Sequence, residues 1–439
     1  MENFYIKLDL LIIVMHSSVN NLVYSYIKLN LMKSIFVQIA SYRDPELVPT
    51  IKNLIEQAAH PERLKICIAH QYSEEDEWDN LDQFASDGRF IVIQIPHNES
   101  QGVCWARNQI QQHYKSEDYT LQIDSHHRFV KGWDKECIAT LNSLIKKGHK
   151  KPLLTSRTPA YSPATYPQGI DENSYGMSIR QWDQGVPLFS LYSEGKKSEP
   201  TASRFYSGHF AFTLGKFCKE VPHDPLMYFN GEEISMAVRA YTHGYDLFIP
   251  NKPIAWHDYT GEKRARHWDD NADWSARDNQ SKSRVRQLLG VNGEVCSPCN
   301  KSTFKEYGLG EERTLEAYEL YSGVKFRDQT ITNRCQQNLP TPGLEGDSVH
   351  VELKDYHVKI NKHDFLYEDC VFATLVFEDN NGMVVYYDTI NKEEIKTLKS
   401  LDNPYMNVVR SMKGTKPLRY LIWPYSESHG WGDKVVSYF

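Results

Sequence analysis

The sequence predicts an α/β protein with a mostly parallel, doubly wound sheet, followed by a smaller β-rich region at its C-terminal end. Three observations predict this class. Short apolar strands alternate with amphipathic helices from Ser34 onward, the links between them are short, and only strand-like patterns remain after about Ser348. Because 439 residues exceed one typical core, two or three domains are expected.

The first elements of the sheet follow one another closely. Residues 34–40 form an apolar strand, and Asp44-Pro45-Glu46 has the N-cap residue, the proline and the acidic first turn of a helix. Further strands are predicted at 64–69, 89–95 and 119–124, with helices over 102–114 and 134–147. Ligands bind beyond the carboxyl ends of the strands in such sheets. Residues 41–44 and 124–128 are therefore candidate site residues.

The second half of the chain is less regular. Residues 157–204 lack periodicity and are rich in Pro, Gly, Ser and Tyr, which predicts a long loop that could face an acceptor. Regular patterns then predict a helix and several strands: 232–241, 245–249, 350–360, 371–378, 383–388 and 418–423. The predicted domains are an N-terminal extension, the main α/β domain, a helical or loop extension with a linker, and a β-rich domain, plausibly a sandwich: 1–31, 32–290, 291–346 and 347–439.

Composition narrows the function classes. With 40% hydrophobic and 24% charged residues the chain is an ordinary globular protein, and 50 basic against 57 acidic residues disfavour non-specific nucleic-acid binding. The apolar run 10–15 is shorter than the ~20 residues of a membrane span, so no span is expected. Cysteines within apolar runs predict buried, reduced thiols and a cytoplasmic location: Cys67, Cys137 and Cys218. The closely spaced pair Cys296 and Cys299 has no matching second pair, so structural zinc is not predicted.

The sharpest motif is Asp124-Ser125-His126 at the end of a predicted strand. Residues two apart in an extended segment point to the same side, so Asp124 and His126 could converge on one ion. Carboxylate oxygen with imidazole nitrogen suits Mn²⁺ or Mg²⁺. A turn with solvated histidines is the open alternative. Upstream, Arg107 lies in the first turns of a helix, where it could meet a diphosphate or could be a solvated surface arginine.

These motifs together resemble nucleotide-sugar glycosyltransferases of the GT-A fold. Gly-x-x-x-Ala-Arg-Asn precedes the Asp-x-His strand end, and three further motifs follow in order: Ser207-Gly208-His209-Phe210, Gly231-Glu232-Glu233 and Trp256-His257-Asp258. Longer segments resemble the UDP-GlcNAc:polypeptide N-acetylglucosaminyltransferase family, whose best-known members act on hydroxyproline of a cytoplasmic ubiquitin-ligase adaptor: 40–45, 104–107, 122–129, 221–225 and 228–236. The resemblance extends over about residues 32–274.

The resemblance implies a metal-dependent transferase that moves GlcNAc from UDP-GlcNAc to a hydroxyl group, with retention. It implies Mn²⁺, or alternatively Mg²⁺, held by Asp124, His126 and His257. Glu232 and Glu233 would face the acceptor and the donor-sugar hydroxyls. The leaving diphosphate is expected to contact Arg107, Arg264 and Arg266. The uridine is expected to contact Ser41, Tyr42 and Arg43, and the donor sugar Gly208 and His209.

Simpler explanations remain for some of these residues. Arg264 and Arg266 could belong to a solvated basic turn, and Glu232 and Glu233 could stabilise a helix N-terminus through its dipole. The expected partners are a UDP-sugar donor and a protein or glycan acceptor. A transferase that uses another UDP-sugar to build a glycan would have the same skeleton. An inactive carbohydrate-binding protein is a third alternative, and a zinc hydrolase lacks its His-Glu-x-x-His motif.

Overall fold

The computed structural model describes residues 33–261, 264–293, 303–341, 348–349, 354–365, 367, 369–380, 382, 384–412 and 416–439. The predicted extension 1–31 and the Cys296–Cys299 pair lie outside these ranges, as do residues 342–346 at the end of the predicted segment 291–346. No helix within the described ranges is both long and apolar enough to cross a bilayer.

The first half of the chain alternates strands and helices, as predicted. Its strands are β1 (Ile35–Tyr42), β2 (Leu64–Tyr72), β3 (Phe90–Pro96), β4 (Tyr119–Asp124), β5 (His127–Phe129) and β6 (Pro152–Thr155). Its helices are α1 (Leu47–Gln57), α2 (Val103–Gln111) and α3 (Trp133–Lys146). Helix α1 begins three residues after Asp44, because residues 45 and 46 form a turn in which the Asp44 side chain accepts the Glu46 backbone N–H.

The middle of the chain completes the main domain. Its strands are β7 (Ser174–Asp183), β8 (Val186–Gly195), β9 (Thr201–Ala202), β10 (Phe210–Leu214), β11 (Asp246–Ile249) and β12 (Ala255–His257). Its helices are α4 (Phe217–Glu220), α5 (Glu232–Thr242), α6 (His267–Asp270), α7 (Trp274–Leu289) and α8 (Leu315–Ser322). Two short strands and a short helix follow: β13 (Val324–Lys325), β14 (Thr330–Thr332) and α9 (Asn333–Gln336).

One eight-stranded sheet organises the main domain, with strand order β3-β2-β1-β4-β10-β6-β11-β9. Strands β1 to β4 are parallel to one another, β6 and β11 are parallel, and β10 runs antiparallel to both β4 and β6. Consequently β1, β4 and β6 end at the same edge of the sheet, and β10 begins there. The predicted mostly parallel α/β sheet is confirmed.

Helices cover both faces of this sheet. Alternate residues of β1 point to opposite faces, so Val37 packs with α1 and α3 while Phe36 packs with α2. A further apolar cluster joins α5 and α7 to Phe304 and Tyr318, which follow residue 290 in the chain. The described part of 291–346 therefore packs against the main domain. The cysteines predicted to be buried thiols, Cys67, Cys137 and Cys218, are buried and free.

The segment 157–204 is not one long loop, and that prediction was wrong. Strands β7 and β8 form a hairpin in its middle, from Ser174 to Gly195. Gln184 and Gly185 both have positive φ, at 48° and 84°, which is the geometry of a tight two-residue hairpin turn. A Cβ at residue 185 would lie 2.8 Å from a Val291 methyl group. The hairpin tip is therefore packed closely against the end of α7.

In the described ranges, the C-terminal region contains two small sheets and one α-helix, and its first strand pairs with the preceding β14. Its strands are β15 (Ser348–Val349), β16 (Lys354–Asn361), β17 (Cys370–Glu378), β18 (Val384–Ile390), β19 (Tyr405–Met412), β20 (Arg419–Ser426), β21 (Gly430–Trp431) and β22 (Val435–Tyr438). Strand β16 pairs with β19, whereas β18, β17, β20, β21 and β22 form the other sheet. The sequence patterns did not predict β19, β21, β22 or the helix α10 (Lys392–Ser400), whose Ile395 and Leu398 join the apolar cluster of this region.

Candidate active site

The three predicted metal ligands meet at the carboxyl edge of the main sheet. Nε2 of His126 lies 3.0 Å from Nε2 of His257, and Oδ2 of Asp124 lies 3.4 Å from the His257 nitrogen and 3.8 Å from the His126 nitrogen. Asp124 is the last residue of β4, and His126 lies in the bend before β5. His257 reaches them because β12 pairs antiparallel with β5. These three side chains form a group that could hold a metal ion.

A buried carboxylate orients one of these imidazoles. Asp44 Oδ2 lies 2.7 Å from Nδ1 of His126 and 2.6 Å from the Ser125 hydroxyl. Burial raises the pKa of Asp44, but the hydrogen bonds from His126 and Ser125 outweigh this effect and lower it, so the side chain is ionised. A carboxylate can only accept, so Nδ1 of His126 carries the proton and Nε2 keeps a lone pair toward His257. The sequence placed Asp44 at a helix start and among the candidate site residues 41–44, but it did not indicate the hydrogen bond to His126.

The other imidazole is neutral. Burial and the neighbouring His126 lower the pKa of His257 to about 4, despite its hydrogen bond to Asp124. Burial would raise the pKa of Asp124, but His257 and the charge of Arg107 hold it well below its ordinary value. At neutral pH Asp124 is therefore a carboxylate and His257 an imidazole with an available lone pair.

Arg107 connects this group to the acidic motif. It is 2% exposed, and its Nη2 donates to Asp124 Oδ1 over 2.6 Å while its Nη1 donates to Glu232 Oε1. Both outer nitrogens thus already bind carboxylates. Gly208 lies against this arrangement, since a Cβ there would be 2.9 Å from Glu232 Oε2 and 3.2 Å from Arg107 Nη1. The close approach requires a glycine at residue 208.

The two glutamates begin α5 and have different surroundings. Burial raises the pKa of Glu232, and the charge of Arg107 opposes the rise. Burial raises the pKa of Glu233 to about 7, against the effect of nearby Arg157. Glu233 accepts a hydrogen bond from the Gly208 backbone N–H over 3.3 Å. Each glutamate therefore already has a hydrogen-bond donor that fixes its position.

His209 is a buried neutral histidine next to the metal group. Its Nε2 accepts the Thr158 backbone N–H over 3.1 Å, and its ring centroid is 4.5 Å from that of His257. Burial, followed by the electrostatic effects of the His257 ring and Arg157, lowers its pKa well below the ordinary value. The ring therefore packs behind His257 and fixes the backbone at Thr158.

The residues predicted to bind uridine lie at the end of β1. The Tyr42 hydroxyl donates to Asp270 over 2.7 Å, and Arg43 makes ion pairs with Asp76 at 2.6 Å and Asp270 at 3.0 Å. Ser41 is fully buried, and its hydroxyl has no hydrogen-bond partner within the described ranges. Tyr42 and Arg43 are thus tied to α6, which covers this end of the strand.

The two predicted loop arginines contact different groups, although both guanidinium groups lie near Gly261. Arg264 Nη2 donates to the Asp258 carbonyl over 3.3 Å, and its Nη1 lies 3.9 Å from Asp44 Oδ2, close to the metal group. Arg266 is the N-cap residue of α6, and its guanidinium lies 5.8 Å from the Trp268 ring centroid.

A cavity of about 770 Å³ joins most of these residues. Of the predicted site residues its lining includes Arg107, Asp124, Gly208, His209, Glu232, Glu233, His257 and Arg266, whereas Ser41, Tyr42, Arg43, His126 and Arg264 lie outside it. The hairpin β7–β8 forms one wall. The C-terminal sheet forms another, with alternate residues of β17 and β20 facing the cavity: Thr374, Val376, Glu378, Leu421 and Trp423.

The comparison with protein families assigns the chain. The model of the glycosyltransferase (GlcNAc) family matches residues 34–89 and 83–328, which together exceed half of the 439 residues. The chain belongs to this family. The protein is therefore a glycosyltransferase, as the sequence predicted, and its sheet agrees with the predicted GT-A fold. The family match continues beyond residue 290, the predicted end of the main domain.

Similar folds occur among solved structures, at low identity. GalNAc-T7 with UDP, GalNAc and Mn²⁺ is 14% identical, with 66% of this chain and 57% of that chain covered and a TM-score of 0.44. S. aureus TarS is 10% identical, with 92% and 85% covered and a TM-score of 0.37. The glycosyltransferase thus spans little more than half of GalNAc-T7. No curated protein matches it in sequence. The family assignment depends on the family match alone.

Sequence reasoning missed several residues of the glycosyltransferase's cavity. Neither Arg157 nor Arg180 was singled out, although both line the cavity. Arg157 lies just beyond the end of β6, at the same sheet edge where Asp124 ends β4. This position beyond a strand end could have indicated a site residue. Arg180 and the walls from β8 and β20 had no such signal, since they depend on the hairpin and on packing of the C-terminal sheet.

Proposed function

We propose that this glycosyltransferase transfers GlcNAc from UDP-GlcNAc to a hydroxyl group of a polypeptide, on serine, threonine or hydroxyproline, with retention. The observation that supports this most is the convergence of Asp124, His126 and His257 beside Glu232 at the carboxyl edge of the sheet. The motifs that resemble the hydroxyproline-type subfamily support the acceptor class. A cytoplasmic location is part of the proposal, and buried cysteines in the described ranges that form no disulfide are in keeping with it: Cys67, Cys104, Cys137, Cys218 and Cys335.

A divalent cation fits the side chains that we propose to hold it. Asp44 fixes the His126 tautomer, so the Nε2 lone pair faces the space shared with His257 and Asp124. Two imidazole nitrogens and a carboxylate suit Mn²⁺, while Mg²⁺ prefers oxygen ligands. When bound, the cation supplies positive charge that neutralises the diphosphate of the leaving nucleotide.

The remaining roles follow from what each side chain already binds. Arg107 holds Asp124 and Glu232 in place through two nitrogens, so we propose it as a positioning residue rather than a free phosphate ligand. Glu232 and Glu233 orient sugar and acceptor hydroxyls, because both carboxylates line the cavity beside Gly208. Arg264 and Arg266 add positive charge near the leaving diphosphate.

The nucleotide and the acceptor would enter from different sides. We propose that uridine binds at Ser41, Tyr42 and Arg43, where α6 covers the end of β1. The acceptor would bind between the hairpin β7–β8 and the C-terminal sheet, where the rings of Trp423 and Trp431 lie 4.3 Å apart. Aromatic surfaces of this kind suit an extended polypeptide. They also suit a glycan, which is the second candidate acceptor.

The proposal is tested with the full-length protein, UDP-GlcNAc and Mn²⁺. Release of UDP is measured against a panel of UDP-sugars, and the product formed in host lysate is identified by mass spectrometry. We expect the fastest release from UDP-GlcNAc, GlcNAc on a polypeptide, and loss of both in Asp124→Asn. Asp328→Asn removes an exposed carboxylate outside the cavity and serves as the control. Faster release from another UDP-sugar, or label on a glycan only, would overturn the proposal.

A further inference from the structure

Two arginines of the cavity have no acidic partner. Within the described ranges, neither Arg157 nor Arg180 forms an ion pair or a side-chain hydrogen bond, and the Nε atom of each is buried without a hydrogen-bond partner. Arg107 in the same cavity binds two carboxylates. Lys282, also in the lining, binds Asp183 at 2.6 Å and Asp278 at 2.9 Å. The charges of Arg157 and Arg180 are therefore left for a ligand.

The fold aims both side chains at the same space. Arg157 lies two residues beyond the end of β6, at the sheet edge where Asp124 ends β4. Arg180 is the extra residue of a β-bulge, since Ile179 pairs with Phe189 and Gln181 with Leu188. A bulge re-aims a side chain, and bulges occur often beside active sites. Burial lowers the pKa of Arg180, and the charge of Arg157 lowers it further, as expected for two guanidinium groups close together.

This pair lies away from the proposed nucleotide site. Arg157 lies over the Tyr259 ring, 5.6 Å from its centroid, and the Tyr259 hydroxyl donates to the Thr158 carbonyl. Its charge acts on Glu233 and on His209, the residues next to Gly208. Tyr42 and Arg43 are instead tied to α6. The arginine pair is therefore on the hairpin side of the cavity, where we place the acceptor.

We propose that Arg157 and Arg180 form an anion-binding subsite that selects acceptor polypeptides carrying an acidic side chain near the target hydroxyl. This inference rests on the proposed function, since it names a property of the proposed acceptor. Two partly buried guanidinium groups without a counterion are costly, and a carboxylate or phosphate from the acceptor offsets that cost with charge-assisted hydrogen bonds. The hairpin tip fixes the subsite, because Arg286 on α7 donates to the Gln184 carbonyl over 2.9 Å.

The test measures donor hydrolysis and acceptor preference on the same variants. The probe is a synthetic peptide library with one serine, threonine or hydroxyproline, and with flanking positions that include Asp, Glu, phosphoserine, Asn and Gln. Wild-type protein with UDP-GlcNAc and Mn²⁺ is expected to enrich acidic or phosphorylated peptides. In Arg157→Gln and Arg180→Gln this preference falls by about tenfold, the loss expected for one charged hydrogen bond. Comparing the enrichment of peptides that contain Asp or Glu with that of peptides that contain phosphoserine distinguishes a carboxylate from a phosphate as the bound anion.

Controls separate this subsite from folding and from the donor site. Arg327→Gln removes an exposed arginine outside the cavity and should leave the preference unchanged. Thermal unfolding of each variant checks the fold, and Arg180→Glu should shift the preference toward lysine-containing peptides. If both Gln variants keep the preference for acidic peptides, or if the wild type has no such preference, the inference is overturned but the proposed function is not. An equal loss of UDP-GlcNAc hydrolysis would instead assign the arginines to the donor. Hydrolysis without transfer to any peptide would overturn the polypeptide acceptor itself, and the inference with it.

Discussion

Replacing Asp44 with asparagine should weaken metal binding without removing a single predicted metal ligand. Asp44 Oδ1 accepts the Glu46 backbone N–H over 2.9 Å, while Oδ2 accepts from Ser125 and from Nδ1 of His126. In Asp44→Asn the amide oxygen keeps the Glu46 bond, so the NH₂ group faces His126. An amide nitrogen can only donate, so Nδ1 must become the acceptor and the ring proton moves to Nε2.

That proton then points into the space shared with His257 and Asp124. Nε2 of His126 is 3.0 Å from the His257 nitrogen, so there is no room for both a hydrogen and a cation. Removing the residue that orients a ligating histidine typically lowers metal affinity by about 10- to 100-fold, which corresponds to roughly 1.4 to 2.8 kcal/mol. We expect an effect in this range, because restoring the active tautomer breaks the new amide hydrogen bond.

The assay is a Mn²⁺ titration of UDP-GlcNAc hydrolysis, with Mn²⁺ binding measured in parallel by calorimetry. The midpoint should rise by 10- to 100-fold, as estimated above, while saturating Mn²⁺ restores most of the rate. Asp134→Asn is the matched control, since Asp134 is also a buried carboxylate and accepts two backbone N–H groups away from the cavity. An unchanged midpoint in Asp44→Asn, or an equal shift in Asp134→Asn, would refute the reasoning.

Two further predictions concern the acidic motif. Gly208→Ala places a Cβ 2.9 Å from Glu232 Oε2. This variant should lower the transfer rate by up to about 100-fold while the Mn²⁺ affinity stays the same. Gly88→Ala is the control, because its Cβ meets no atom within 4 Å. Because burial raises the folded-state pKa of Glu233 from 4.5 to about 7, the unfolded chain loses this proton first and stability falls as pH rises between those values. Glu233→Gln should therefore raise the free energy of unfolding at pH 8 by at most about 3 kcal/mol and leave it unchanged near pH 4, as measured by urea denaturation; a gain at pH 4 would contradict the assignment.

Local pattern was enough to predict the sheet and which residues lie at its carboxyl edge. The alternation of strands and helices fixes which strand ends share an edge, and Asp124 with His126 lies at one of them. A parallel arrangement brings such residues together without any knowledge of side-chain packing. His257 is distant in sequence, and its place was implied only by the resemblance to a known family. The pairing of β12 with β5 is the physical reason that it arrives there.

Features that depend on non-local packing were not predicted. The hairpin β7–β8 was mistaken for a loop because Gly176, Pro187 and several serines dilute its apolar alternation. Its tight Gln184-Gly185 turn is a weaker signal than Asn-Gly or Asp-Gly. Asp44 combines a helix-start position with a bond to His126, and sequence shows only the first. In the C-terminal region, α10 is short and mostly polar, and its burial rests on Ile395 and Leu398 alone.

Two parts of the chain form the walls of the cavity, so acceptor specificity can change separately from the metal group. Asp124, His257 and Glu232 lie within residues 34–328, which match the family. Trp423 and Trp431 belong to a sheet beyond residue 328 that buries its other face around Leu375 and Ile422. A sheet with its own core can change its cavity-facing residues without disturbing the metal group, since neighbouring residues of a strand point to opposite faces. Substitutions at these cavity-facing positions should therefore change acceptor choice while donor hydrolysis is retained.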